Sequence, residues 1–149
     1  MVEIVACLMR KYFLVLLSPL FLLFFSCEKQ IPDQVIPFAF VNEDIKLTNL
    51  QYIDLQNIGG FVYYEAGYKG IIIYHEGNGI YRAFERACSY DPRASCNPVA
   101  VDESSLFLKH ECCNSSFNFN GNPMSGPAAA NLLQYAVFVD GGYLKIRNE

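Results

Sequence analysis

Along the chain, apolar positions fall in short runs and not at helical spacing. Runs rich in β-branched and aromatic residues occupy 38–41, 51–55, 61–64, 70–75, 80–84, 106–109, 134–139 and 143–147. Between nearly all of them stand turn-forming residues, among them Gly59-Gly60, Gly77-Asn78-Gly79 and Asp140-Gly141-Gly142. Short apolar runs punctuated in this way read as strands joined by hairpins. The pattern therefore predicts an all-β domain of antiparallel strands, stacked as a sandwich or closed as a small barrel. No internal repeat or low-complexity tract interrupts it.

The beginning of the chain has a different pattern. Arg10 and Lys11 precede a mostly apolar run over 12–25, in which only Ser18-Pro19 intervene, and which ends at Ser26-Cys27 and gives way at once to polar Glu28-Lys29-Gln30. That run is shorter than the about 20 residues a spanning helix needs, and its basic flank suits a signal peptide. Met9, directly before Arg10, is a better start than Met1, whose extension carries an acidic Glu3. Cys27, behind the small Ser26, resembles the lipidated cysteine of bacterial lipoproteins. It departs from their usual motif in having Phe24 at the third position before the cysteine, with Leu23 one place earlier. The resemblance implies a lipid anchor in a bacterial cell envelope, facing the periplasm or the cell exterior; plain signal-peptide cleavage is the alternative. The expected organisation is a signal peptide over 1–26, a lipidated N-terminus and tether over 27–37, and one β domain over 38–149.

Composition supports this picture and removes some functions. A chain of 149 residues that is 52% hydrophobic can bury one core and little more. Its net charge is −4, with no cluster of basic residues, which argues against a nucleic-acid partner. Twelve Phe and ten Tyr with no Trp favour strands. Gly77-Asn78-Gly79 leads into the strand-like run from Ile80 and not into a helix, so it reads as a hairpin turn and not as a phosphate loop. His75 has no neighbouring ligand and reads as a strand-end histidine. Asp102-Glu103 reads as a solvated pair, and no nucleophile–base pair is visible, so an enzyme is not expected.

Outside the cytoplasm disulfides persist. Apart from Cys7 and Cys27, the chain holds Cys88, Cys96, Cys112 and Cys113, an even number. The segment GIIIYHEGNGIYRAFERACSYDP, with HECCNSSFNFNGNPMSGPAAANLLQYAV at a distance after it, resembles a Rieske iron–sulfur domain over most of the mature chain. The likeness includes Phe117, Gly121, Gly126-Pro127-Ala128, Leu133 and Tyr135 at the family's spacing, with Gly126-Pro127-Ala128 behind the two loops its most specific element. It implies a fold of stacked antiparallel sheets with two cysteine-bearing loops, and electron transfer as the family's function.

In that family each loop supplies one Cys and one His to a [2Fe–2S] cluster. Here the first loop reads Cys88-Ser89-Tyr90, with Tyr90 in the place of the histidine. In the second loop His110 falls on the ligand cysteine and Cys113 on the ligand histidine. Cys112 stands at the family's second-loop disulfide position, with Cys96 as its natural partner. The resemblance thus implies a Cys96–Cys112 bridge, while Cys88 and Cys113 could close on each other. Because three of the four ligand identities have changed, the expectation is a protein without a cofactor: a disulfide-stapled structural or binding module with an unknown envelope partner. The alternative is an electron-transfer protein holding an altered [2Fe–2S] cluster, or zinc, through Cys88, His110 and Cys113, with Tyr90 a poor fourth ligand.

Overall fold

The computed structural model describes residues 35–148. The signal-peptide region, Cys27, the choice between Met1 and Met9 and most of the tether lie outside the described residues. Among the described residues no helix is long and apolar enough to cross a membrane.

The expected all-β fold of stacked antiparallel sheets is what forms. The described residues form ten strands, in chain order β1 (Asn42–Lys46), β2 (Phe61–Tyr64), β3 (Ile71–Gly77), β4 (Ile80–Glu85), β5 (Ala100–Val101), β6 (Leu108–His110), β7 (Ser115–Phe117), β8 (Pro123–Ser125), β9 (Gln134–Asp140) and β10 (Tyr143–Arg147). A six-stranded sheet has the order β1-β10-β9-β4-β3-β2, and a four-stranded sheet the order β5-β6-β7-β8. All pairs are antiparallel.

The larger sheet curls. Its edge strands are β1 and β2, yet the Tyr64 hydroxyl on β2 donates to Glu43 Oε2 on β1 at 2.7 Å. Inside the curl lie Ile45, Leu55, Ile71, Ile73, Tyr135, Leu144 and Ile146, all nearly or fully buried. Side chains alternate across a strand, so Ile72 points the other way. It joins Phe84, its partner in register, with Val99, Leu108, Phe117 and Leu132 in a second apolar layer. Both faces of β3 are thus covered, which explains three consecutive isoleucines where a half-exposed strand would alternate. Each such side chain, fully buried, contributes about 1.5–3 kcal/mol.

Three local expectations are corrected. Residues 51–55, read as a strand, belong to a 3-10 helix, Leu50–Gln56. The segment joins neither sheet, and of it only Leu55 is buried. The Tyr52 and Asn57 N–H groups instead donate to Asn49 and Asp54 carbonyls three residues back. Residues 38–41 are not a strand: Phe38 and Phe40 are exposed, and pairing begins at Asn42, opposite Arg147. His75 is not at a strand end but within β3, where it is buried, stacks on Tyr81 with centroids 4.4 Å apart, and shares a hydrogen bond with the Asn57 carbonyl. The turn at Gly77-Asn78-Gly79 is the hairpin expected, with all three residues at positive φ.

One polar group ties the end of β4 to the segment before β3 and to β9. Glu85, the last residue of β4, is fully buried. Its Oε2 accepts from Tyr68 N–H at 2.7 Å and from the Tyr135 hydroxyl at 2.8 Å; its Oε1 accepts from Lys69 N–H at 2.8 Å and Ala87 N–H at 3.1 Å. Four donors satisfy a carboxylate that would otherwise be costly to bury. Burial and the Glu85 contact push the Tyr135 phenol well above its ordinary value.

Candidate functional site

The two cysteine loops leave the ends of strands and meet between the sheets. The first runs from the end of β4 to the start of β5 and carries Cys88 and Cys96. Its base is closed by Arg86: Val99 N–H donates to the Arg86 carbonyl at 2.8 Å, and Arg86 Nε returns a bond to the Val99 carbonyl at 2.9 Å. The Arg86 guanidinium lies 4.2 Å over the Tyr63 ring, and burial lowers its pKa. Within the loop the Lys69 ammonium bonds the Ala94 carbonyl. The second loop is the turn of the β6–β7 hairpin, where Asn114 adopts a positive φ of 53°.

A disulfide joins the loops through Cys96 and Cys112, whose Cα atoms are 6.4 Å apart. Beside it Cys88 and Cys113 are free thiols, with sulfurs 3.5 Å apart. His110, at the end of β6 and 1% exposed, places Nδ1 3.0 Å from Cys113 Sγ. Its Nε2 lies 3.6 Å from Cys96 Sγ. One ligand atom from each of Cys88, His110 and Cys113 falls within 4.8 Å of the others. The stretch from Gly126 to Ala130 touches both loops. A Cβ on Gly126, which has φ of +87°, would lie 2.5 Å from Ser115 Cα and 2.6 Å from the Asn114 carbonyl oxygen, so only glycine lets the chain lie so close. Ala128 N–H donates to Ser115 Oγ at 3.1 Å, and Ser89 Oγ in the first loop donates to the Ala130 carbonyl at 2.6 Å.

Burial disfavours charge on Cys88 and His110. Burial, with Cys113 adding to it, pushes the Cys88 thiol up to about 11, against the opposing backbone N–H groups of Tyr90 and Asp91, which hydrogen-bond its sulfur. Burial and the Lys69 ammonium push His110 down, while the Asn97 carbonyl accepts from its ring and pulls the other way. Cys113 donates to Ser115 Oγ at 3.1 Å.

Of the residues singled out from sequence, Cys88, His110 and Cys113 come together, and Cys96 and Cys112 are bonded beside them. Tyr90 is half-buried and packs against the second apolar layer. Asp102 accepts from Ser104 in its own turn and, with Glu103, lines a surface cleft of about 520 Å³ shared with Arg86, Lys109 and Glu111. Cys27 lies outside the described residues. Sequence reading passed over Ser89, Ser115 and Glu85 as participants. A serine behind each cysteine loop was the one available signal, and only the fold shows what the hydroxyls hold.

A [2Fe–2S] cluster takes two protein ligands on each of its irons. Cys88, His110 and Cys113 supply three atoms drawn close together, which does not match that set. No family model matches the chain, and no curated protein matches it. Among solved structures it is similar to the ferredoxin of carbazole 1,9a-dioxygenase from Nocardioides aromaticivorans, at 15% identity over 77% of this chain and 100% of that one, with a TM-score of 0.45.

Proposed function

We propose that the protein is a bacterial envelope lipoprotein, anchored through Cys27, whose Rieske-like domain acts without a [2Fe–2S] cluster as a disulfide-stapled, non-enzymatic structural or binding module. The observation that carries the reading is the pair of cysteine loops: tied by Cys96–Cys112, and holding three donors where a cluster needs four. A staple at the loop tips orders them in the way a cluster otherwise would. In an extracytoplasmic compartment such a bridge persists. A second reading, electron transfer through an altered cluster or another metal, is favoured by the convergence of Cys88, His110 and Cys113.

The test has two parts. Replacing Cys27 with Ala should move the protein from the membrane to the soluble fraction; membrane partitioning that survives the substitution removes the anchor from the proposal. Protein purified without air should contain no stoichiometric iron, and a rhombic electron-spin signal on reduction would establish the second reading in its place.

A further inference from the structure

We infer that Cys88, His110 and Cys113 form a mononuclear zinc site, closed by solvent or a partner's side chain at the fourth position. The inference rests on the cluster-free reading of the same loops and says what those loops hold instead.

Two thiols and an imidazole are a donor set that zinc prefers. With Zn–S bonds of about 2.3 Å and Zn–N of about 2.0–2.1 Å, tetrahedral geometry separates two sulfurs by roughly 3.8 Å and a sulfur from a nitrogen by roughly 3.5 Å. Cys88 and Cys113 stand at 3.5 Å, and Cys113 and His110 Nδ1 at 3.0 Å. These two separations would have to widen by a few tenths of an ångström around an ion, and the third pair, Cys88 and His110, lies within 4.8 Å. The two thiols and the imidazole come from two stretches of chain, Cys88 from the first loop and His110 with Cys113 from the second, so an ion held by all three would join the loops.

The surroundings suit bound thiolates. Backbone N–H groups of Tyr90 and Asp91 are directed at Cys88 sulfur. Ser115 Oγ already accepts from Ala128 N–H, so its own hydrogen is free to turn toward Cys113 once that sulfur has lost its proton. Cys96 Sγ stands on the Nε2 side of the His110 ring, and Nδ1 is the nitrogen that faces Cys113. Cys113 is half-buried, so solvent can reach its side of the site. Binding replaces two S–H protons by one Zn²⁺, with both protons released to solvent. Zinc has no redox chemistry, so the ion would act as a second tie between the loops, beside the disulfide.

The test uses the full chain, purified in detergent without air and supplied with zinc sulfate. About one zinc per chain should survive dialysis, and two thiols should resist alkylation until a chelator is added. Cobalt substitution should give tetrahedral d–d bands and a thiolate charge-transfer band. Cys113→Ser and His110→Gln should lose stoichiometric metal, while Tyr90→Phe keeps it; the Cys96–Cys112 bridge, seen by peptide mapping, reports that each variant has folded. Zinc retained by Cys113→Ser, two unprotected thiols in the zinc-treated chain, or a Cys88–Cys113 disulfide in protein taken from the envelope would each overturn the inference. Absence of both zinc and iron sinks this inference alone, whereas an iron–sulfur signal sinks the proposed function with it.

Discussion

The six-stranded and four-stranded sheets are held by different means. The larger one is a curl of apolar side chains, closed at its seam by the Tyr64–Glu43 hydrogen bond, and it needs no covalent help. The smaller has strands of two or three residues, too short to bury much on their own. Its order comes from the Cys96–Cys112 bridge, from hydroxyls bonded across loops, and from one layer of side chains pressed on the back of the larger sheet. The candidate site thus sits in the part of the molecule whose own secondary structure is weakest. There, cross-links replace apolar burial.

Four changes should break or sharpen that contrast. The largest effect is expected from Phe84→Ala. Phe84 lies on the larger sheet but fills the layer shared with the smaller one, so a cavity there should cost about 3–5 kcal/mol and loosen both, as read by urea denaturation. If the smaller sheet kept its native hydrogen exchange in this variant, the shared layer would not be what holds it.

Removing the bridge by Cys96→Ser together with Cys112→Ser should cost about 3 kcal/mol, since the cysteines are 16 residues apart. The loss should be local. Amides of Leu108 and Phe117 are expected to exchange faster while those of Ile73 and Ile146 hold, and equal loosening of both sheets would contradict the division between them.

Glu85→Gln should cost about 2 kcal/mol. The amide nitrogen would face N–H donors where a carboxylate oxygen now accepts two bonds. Thermal denaturation at neutral pH measures it, with Tyr135→Phe as a milder comparison that removes one donor.

The smallest effect belongs to the seam. Tyr64→Phe should cost about 1 kcal/mol at neutral pH. The Glu43 hydrogen bond and burial push the Tyr64 phenol from its ordinary 10.0 up to about 12, so the folded chain keeps a proton that the unfolded chain loses first. Its contribution is therefore whole below pH 10 and lost as pH rises through about 12. The stability gap between the native protein and Tyr64→Phe should shrink across that window; a gap that stays constant would mean that Tyr64 does not couple to Glu43.

Legibility divided along the same line. The apolar runs at 61–64, 80–84 and 143–147 and the Gly-rich hairpins were readable because strand alternation and positive-φ turns are properties of a few adjacent residues. The run at 51–55 looked the same, but its ends are fixed by N–H groups bonded three residues back and it forms a 3-10 helix. Strands β5, β7 and β8 were missed, since two or three residues carry no period. Glu85 gave no local sign of being buried, because its four donors come from Tyr68, Lys69, Ala87 and Tyr135 and meet only in the folded chain.

By itself, then, the sequence determined that the chain is built of antiparallel strands, where its main hairpins turn, and which cysteines and histidines are available to two loops. Tertiary structure alone decided that the larger sheet would curl until its edges met. It also decided that Cys88, His110 and Cys113 would converge within 4.8 Å beside a closed Cys96–Cys112 bridge. The physical reason is range. Side-chain alternation and turn dihedrals are set by neighbours along the chain, but the distance between a cysteine at 88 and another at 113 depends on how every intervening strand packs.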